Sequence, residues 1–224
     1  MARWAISDIH GCCQTFIYMV EKELQITKED ELFLLGDYID RGKDSKGVFD
    51  YIMQLQKEQF QVQCLMGNHE DMLIESFHNP LALSSWMRNG GAETLESFDA
   101  KAVTDIPTKY IDFIKNLKLY IELEDYWLVH AGFNFNHQNI FADREAMLWL
   151  RYWYSDIDLS VLGERTIVHG HTPIRKGIIE KNTSKTTPVI DIDAGCVYRK
   201  NGLGYLCALN LDTKEVVFLP NRDI

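Results

Sequence analysis

Five short segments recur along this chain in a fixed order, and each follows an apolar run: Asp8-Ile9-His10-Gly11, Gly36-Asp37-Tyr38-Ile39-Asp40-Arg41-Gly42, Gly67-Asn68-His69-Glu70, His130-Ala131-Gly132 and Gly170-His171-Thr172-Pro173. An apolar run closed by glycine and a polar side chain reads as a buried strand emptying into a loop. Five such units constrain the fold strongly, because their polar residues can act together only if the strand ends converge. Loops on a rigid scaffold are also where function concentrates.

Between these units the periodicity alternates. Arg3 to Ser7 reads as a strand, Cys13 to Leu24 as a helix with Phe16, Ile17, Val20 and Leu24 on one face, and Glu31 to Leu35 as a second strand. A helix from Ser45 to Lys57 turns Val48, Phe49, Ile52 and Leu55 inward, and Phe60 to Met66 forms a third strand, an alternation that predicts a largely parallel sheet. Residues 71–117 read as a helical insert beside the site, with breaks at Gly90-Gly91 and Pro107. Strands resume at Lys118 to Glu122, Tyr126 to Val129, Thr166 to Val168 and Val189 to Ile192, and a hairpin from Tyr205 to Leu209 and Val216 to Leu219 turns at Asp212-Thr213-Lys214. Because residues from Asp8 to His171 must meet, all 224 residues are expected to form one α/β domain.

Composition narrows the functional classes. A hydrophobic content of 46% suffices for a sizeable core, and a net charge of -10 lacks the basic footprint of general nucleic-acid binding. Five cysteines without a CxxC pair argue against a disulfide framework and for a reducing cytosol. No segment approaches a membrane-spanning length and no cationic stretch opens the chain, so a soluble cytoplasmic protein without membrane partners is expected.

Asp8 and His10, two apart in extended chain, point to the same side and can meet one cation. Asp37 ends the second strand, and its two carboxylate oxygens allow it to bridge two cations. Asn68, His130 and His171, each at the close of a strand pattern, complete a second ion's set. His78 and His137 lack such a setting and read as structural, while His169 is left open between ligand, orienting residue and packed residue. Oxygen and imidazole donors without thiolate suit Mn2+, Fe, Zn or Co better than Ca2+ or Cu(I). Two such ions roughly 3.5–4 Å apart can position a bridging water for in-line attack on a phosphoryl group. The set therefore reads as a metal-dependent phosphoesterase.

The residues resemble the calcineurin-like metallophosphoesterase superfamily, and within it the bacterial phosphoprotein (serine/threonine) phosphatase branch, whose pattern is D-x-H-G, G-D-x-x-D-R-G, G-N-H-E, H-A-G and G-H-T. Trp86-Met87-Arg88-Asn89-Gly90-Gly91 leading to Thr94, and Ile192-Asp193-Ala194-Gly195-Cys196-Val197, are similar to bacterial members. Pro173 stands where many superfamily members carry a second histidine, which favours this branch, and Ser7 replaces a glycine without an obvious change of ligand. The resemblance implies a four-layer α/β/β/α sandwich with two mixed sheets. It implies two divalent ions, Mn2+ foremost, held by Asp8, His10 and Asp37 and by Asp37, Asn68, His130 and His171. His69 would be the general acid and Asp40 its partner, while Arg41 and Arg151, with Asn68, would bind the phosphate. The leading expectation is a phosphoprotein phosphatase acting on phosphoserine or phosphothreonine peptides through a metal-bridging water, its oligomeric state left open. A symmetrical diadenosine tetraphosphate hydrolase shares nearly all these motifs and is the alternative. A non-catalytic binding module on the same fold ranks third, because Asp40, Arg41 and His69 are all retained.

Overall fold

A computed structural model describes residues 1–223. Along the chain its strands are β1 (Arg3–Ile6), β2 (Glu31–Leu34), β3 (Gln61–Cys64), β4 (Tyr120–Glu122), β5 (Tyr126–Val129), β6 (Thr166–His169), β7 (Val189–Asp191), β8 (Tyr205–Asn210) and β9 (Val216–Pro220). They form two sheets, ordered β3-β2-β1-β8-β9 and β4-β5-β6-β7. The alternating opening does give parallel pairs, with Ala5 opposite Phe33 and Phe33 opposite Gln63. The rest of the chain adds antiparallel strands, as the expected two mixed sheets require. The short β4–β5 and β8–β9 connections permit only antiparallel pairing, which leaves both sheets mixed.

Both faces of the strands are apolar, so both sheets are covered on both sides. Ala5, Phe33, Leu35, Leu65 and Leu209 of the first sheet meet Leu128, Val168 and Ile190 of the second in a core between the sheets. On the opposite face Ile6, Leu32 and Leu34 pack under Phe16 of α1 (Cys13–Tyr18) and Val48 and Ile52 of α2 (Ser45–Lys57). The α2 boundaries match the sequence reading, and its start is fixed by Asp44, whose carboxylate accepts the Gly47 N–H at 2.7 Å. The helix expected through Leu24 instead changes at Met19 into a π-helical turn ending at Glu23.

The helical stretch after β3 comprises α3 (Asn68–Ser76), α4 (Pro80–Trp86), α5 (Ala92–Ser97) and α6 (Thr108–Lys115). The regular helix breaks at Gly90, as the glycine pair predicts. The chain continues through a wide turn, Met87–Gly91, in which Gly90 takes φ +113° and lies so near Arg41 that a Cβ there would stand 2.5 Å from the Arg41 nitrogen. The fourth layer was not legible as helices: α7 (Arg144–Trp149) and α8 (Leu159–Leu162) are too short to develop periodicity. Their Met147 and Leu162, with Phe133 and Trp153, cover Trp127, Val129 and Ile167. A further unexpected helix, α9 (Lys176–Thr183), adds Ile179 to the core between the sheets.

The five cysteines are free and buried. No helix of the described residues is long and apolar enough to cross a membrane. The loops leaving β1, β2, β3, β5 and β6 all begin at the carboxyl ends of parallel strands, where ligands gather in α/β sheets. Phe33→Ala, which empties the centre of the core between the sheets, is expected to lower unfolding free energy by about 3–5 kcal/mol in urea titrations; a loss below about 1 kcal/mol would show that the sheets are not held there.

Candidate dinuclear metal centre

The site loops hold an uncommon backbone. His10, Asp37, Asp40, Arg41 and His171 have φ of 47°, 55°, 71°, 69° and 71°, in the left-handed region that side chains other than glycine seldom enter. Such conformations cost of order 1–3 kcal/mol each and persist where surrounding contacts over-determine them. Glu70 supplies much of that constraint. Its Oε1 accepts the Tyr38 and Ile39 N–H groups at 2.8 and 3.3 Å, and its Oε2 accepts those of Asp37 and Gly67 at 2.9 Å each. One buried carboxylate thus ties the loop after β2 to the start of α3.

Asp37 is the centre of what those loops carry. Its Oδ2 lies 3.5 Å from His10 Nε2 and 4.0 Å from His69 Nε2, while its Oδ1 lies 3.5 Å from His130 Nε2. The His69 N–H at the start of α3 donates to Oδ1 at 3.0 Å, placing the carboxylate at a helix N-terminus. Asn68 Oδ1 stands 3.0 Å from His130 Nε2 and 2.8 Å from His171 Nδ1. Asp8 accepts the His171 N–H at 3.1 Å and a hydroxyl hydrogen from Ser7. All six sequence-predicted ligand residues are therefore buried in one cluster, and Ser7, expected to be neutral, orients Asp8.

The cluster fits cations. His10 and His130 each place Nδ1 2.8 Å from a backbone carbonyl, of Ile39 and Leu35 respectively, which fixes the hydrogen on Nδ1 and leaves Nε2 as a bare lone pair. In His130 that lone pair faces only acceptors, Asn68 Oδ1 and Asp37 Oδ1. In His10 it takes the cationic Nη1 of Arg41 at 2.6 Å. Protonation does not resolve the crowding: burial, then Arg41, pushes His10 down to about 3, and burial, then His130, pushes His171 down to about 2. Burial and the neighbouring Asp8 push Asp37 well above the usual carboxylate range. Lone pairs and carboxylates directed at one another from His10 and Asp37, and from Asp37, His130 and His171, are what divalent ions satisfy, while His69 stands beside the first group.

His69 Nδ1 lies 2.6 Å from Asp40 Oδ2. Asp40 is fully buried and also accepts from Trp86 Nε1 at 3.0 Å and Thr94 Oγ1 at 2.6 Å. Burial raises the Asp40 carboxyl, and these donors oppose the rise by solvating the carboxylate. Trp86 and Thr94, together with Glu70, are the residues that reasoning from the sequence assigned no role. Glu70 carried a legible signal, an acid at the third position of a helix begun by glycine. Trp86 and Thr94 carried a likeness to bacterial members but no sign of their role, because only the folded insert brings them to Asp40.

Arg41 is half-buried over Tyr198, with 5.6 Å from guanidinium carbon to ring centroid. Arg151 is exposed at the other side, donating to Thr172 Oγ1 at 3.2 Å beside His171. His169 lies outside the cluster: its ring nitrogens meet the Tyr154 hydroxyl at 2.8 Å and the Gly170 carbonyl at 2.9 Å, which makes it a packed residue.

A family model described as calcineurin-like phosphoesterase matches residues 1–202. The asymmetrical bis(5'-nucleosyl)-tetraphosphatase PrpE of Anoxybacillus flavithermus is 30% identical over 244 residues, covering 96% of this chain and 93% of the relative. The symmetrical bis(5'-nucleosyl)-tetraphosphatase of Buchnera aphidicola is 40% identical over 74 residues, or 33% of this chain and 26% of the relative. Among solved structures, a protein serine/threonine phosphatase from Saccharomyces cerevisiae has a TM-score of 0.66 at 13% identity, covering 98% of this chain and 79% of that one, a likeness of fold.

Glu70→Gln turns an amide NH2 toward backbone N–H groups that need an acceptor. It is expected to destabilise the protein by about 2–3 kcal/mol and to lower bound metal per chain in elemental analysis; unchanged metal content would separate Glu70 from the centre.

Proposed function

The chain belongs to the calcineurin-like phosphoesterase family, and on that premise we propose that it hydrolyses dinucleoside polyphosphates asymmetrically, cutting diadenosine tetraphosphate into ATP and AMP. The observation that carries this reading is the end-to-end likeness to the asymmetrical tetraphosphatase over 96% of this chain, whereas symmetrical tetraphosphatases match over 33% and 59% of it. The Trp86-to-Thr94 segment, which resembles bacterial members of the phosphoprotein phosphatase branch, does not discriminate, since Trp86 and Thr94 hold Asp40 rather than meeting substrate. Arg41 on the His10 side and Arg151 on the His171 side offer a chain of phosphates two cationic contacts.

Two divalent ions, Mn2+ foremost with Fe, Zn or Co as alternatives, would be held by Asp8, His10 and Asp37 and by Asp37, Asn68, His130 and His171, and would supply an activated water and neutralise charge on the phosphoryl oxygens. Arg41 and Arg151, planar and permanently charged, grip the phosphoryl oxygens that are not transferred. With its Oδ1 facing His130 and His171, Asn68 keeps its amide nitrogen for a phosphoryl oxygen. The water oxygen bonds to phosphorus as the bridging phosphorus–oxygen bond breaks, and His69 gives its Nε2 proton to the departing oxygen. Asp40 fixes Nδ1, so the proton can leave only from Nε2, and it stabilises the imidazolium that must form first.

Equimolar ATP and AMP are expected when products from diadenosine tetraphosphate are separated by ion exchange. Two ADP would establish symmetrical cleavage, and a higher kcat/KM on a phosphoserine or phosphothreonine peptide would restore the phosphoprotein reading drawn from the sequence. His69→Asn is expected to lower kcat about 10²-fold or more while leaving bound metal unchanged; parallel loss of both would remove His69 from its role as acid.

A further inference from the structure

A cavity of about 270 Å³ adjoins the His171 side of the centre, formed by residues 150–155 with His169, Thr172, Ile174 and Asp191. Nothing in the hydrolytic chemistry uses its interior. Its size lies just below the range of about 300–1,000 Å³ typical of small-molecule sites, enough for one planar base and too little for a dinucleotide.

The walls are flat and rigid. Trp153 is fixed by its indole N–H donating to the Ala131 carbonyl at 3.2 Å, and Tyr154 by its hydroxyl against His169 at 2.8 Å. The His169 ring is itself anchored on the Gly170 carbonyl, so the Tyr154 face is set before any ligand arrives. Tyr152 takes φ +59° and stands 89% exposed at the mouth, a large apolar ring with no partner in the fold that accounts for its position. Aromatic faces of this kind stack on nucleobases for about 1–3 kcal/mol each.

One polar group is directed into this apolar space. Asp191 is 3% exposed and lines the cavity. One of its oxygens accepts the Asp193 N–H at 2.9 Å, and the other has no hydrogen-bond partner among the described residues. That oxygen is open to the cavity, where it can accept a hydrogen bond from a ligand donor. Its position is fixed by strand pairing, since Asp191 of β7 lies in register with His169 of β6.

We propose that this cavity binds a purine base carrying an exocyclic amino group, stacked on Tyr154 and Tyr152 with the amino group donating to Asp191, and that it seats the nucleoside next to the phosphate that is cut. The inference rests on the dinucleotide reading above and adds the reason for its asymmetry. Arg151 and Thr172 belong both to the cavity wall and to the rim of the metal cluster. A nucleoside seated there brings the phosphate attached to its own ribose to the metal cluster, so the cut falls one phosphate from the nucleoside and releases AMP.

Adenosine, which has no phosphate to meet the metals, tests the cavity directly by calorimetry on the metal-loaded protein. Adenosine is expected to bind about fivefold or more tightly than inosine, which carries a carbonyl in place of the amino group. Tyr154→Leu, at a position already 46% exposed and thus tolerant of change, is expected to weaken adenosine about 10-fold and to raise the KM for diadenosine tetraphosphate. Asp191→Asn keeps the bond from Asp193 but turns an NH2 into the cavity, so the preference should reverse toward inosine. Equal affinity for the two nucleosides, or Asp191→Asn without effect on their ratio, overturns the proposal. Adenosine binding as described without hydrolysis of the tetraphosphate would leave the base site standing and remove the dinucleotide reading. ATP and AMP formed by a protein that ignores adenosine would remove this inference alone.

Discussion

The geometry of the site depends on one buried carboxylate binding backbone amides. Glu70 accepts four N–H groups, from Asp37, Tyr38, Ile39 and Gly67, and so decides where the loop after β2 ends and α3 begins. Asp37 can face histidines from both sheets only because its backbone is held in a left-handed conformation. Burial, then the neighbouring Asp37, raises Glu70 to about 7. Glu70 is compensated by those backbone amides, whereas Asp8 and Asp37 lie buried beside imidazoles in an arrangement suited to cations.

On the proposed reading that arrangement also reconciles an acidic protein with a polyanionic substrate. The net charge of -10 describes the whole surface, whereas a phosphate at the site would meet Arg41, Arg151 and the candidate metal centre at short range. The outer field repels and the local one attracts, and within a Debye length the local one prevails. Affinity for extended nucleic acid does not follow from such an arrangement, since it needs a continuous basic track.

The helical stretch between β3 and β4 has a different part from the one its position suggested. Read along the chain, it is a helical insert beside the site. In the fold, Trp86 and Thr94 turn inward to solvate Asp40, and Gly90 makes room for the Arg41 backbone. This segment thereby sets the orientation of His69 and Arg41. On the opposite side the loop from Leu150 to Ser155 presents aromatic faces beside His169 and Thr172, and there the proposed base site places substrate discrimination.

The sequence by itself determined which polar residues meet in the cluster, the strands that deliver them and the run of α2, because those features are local: a period of two or 3.6, a glycine where the chain must turn, a carboxylate or imidazole at the end of an apolar run. It also specified the four layers and two mixed sheets through resemblance, while its own periodicity reached only the parallel pairing of the opening strands. The tertiary structure alone decided which strands fall in which sheet, that α7 and α8 exist, that Ser7, Glu70, Trp86 and Thr94 hold the site in position, and that Asp191 opens into an aromatic cavity. Each of those depends on contacts between residues tens of positions apart, whose free energy is realised only after the chain has closed around them, and no local pattern records it.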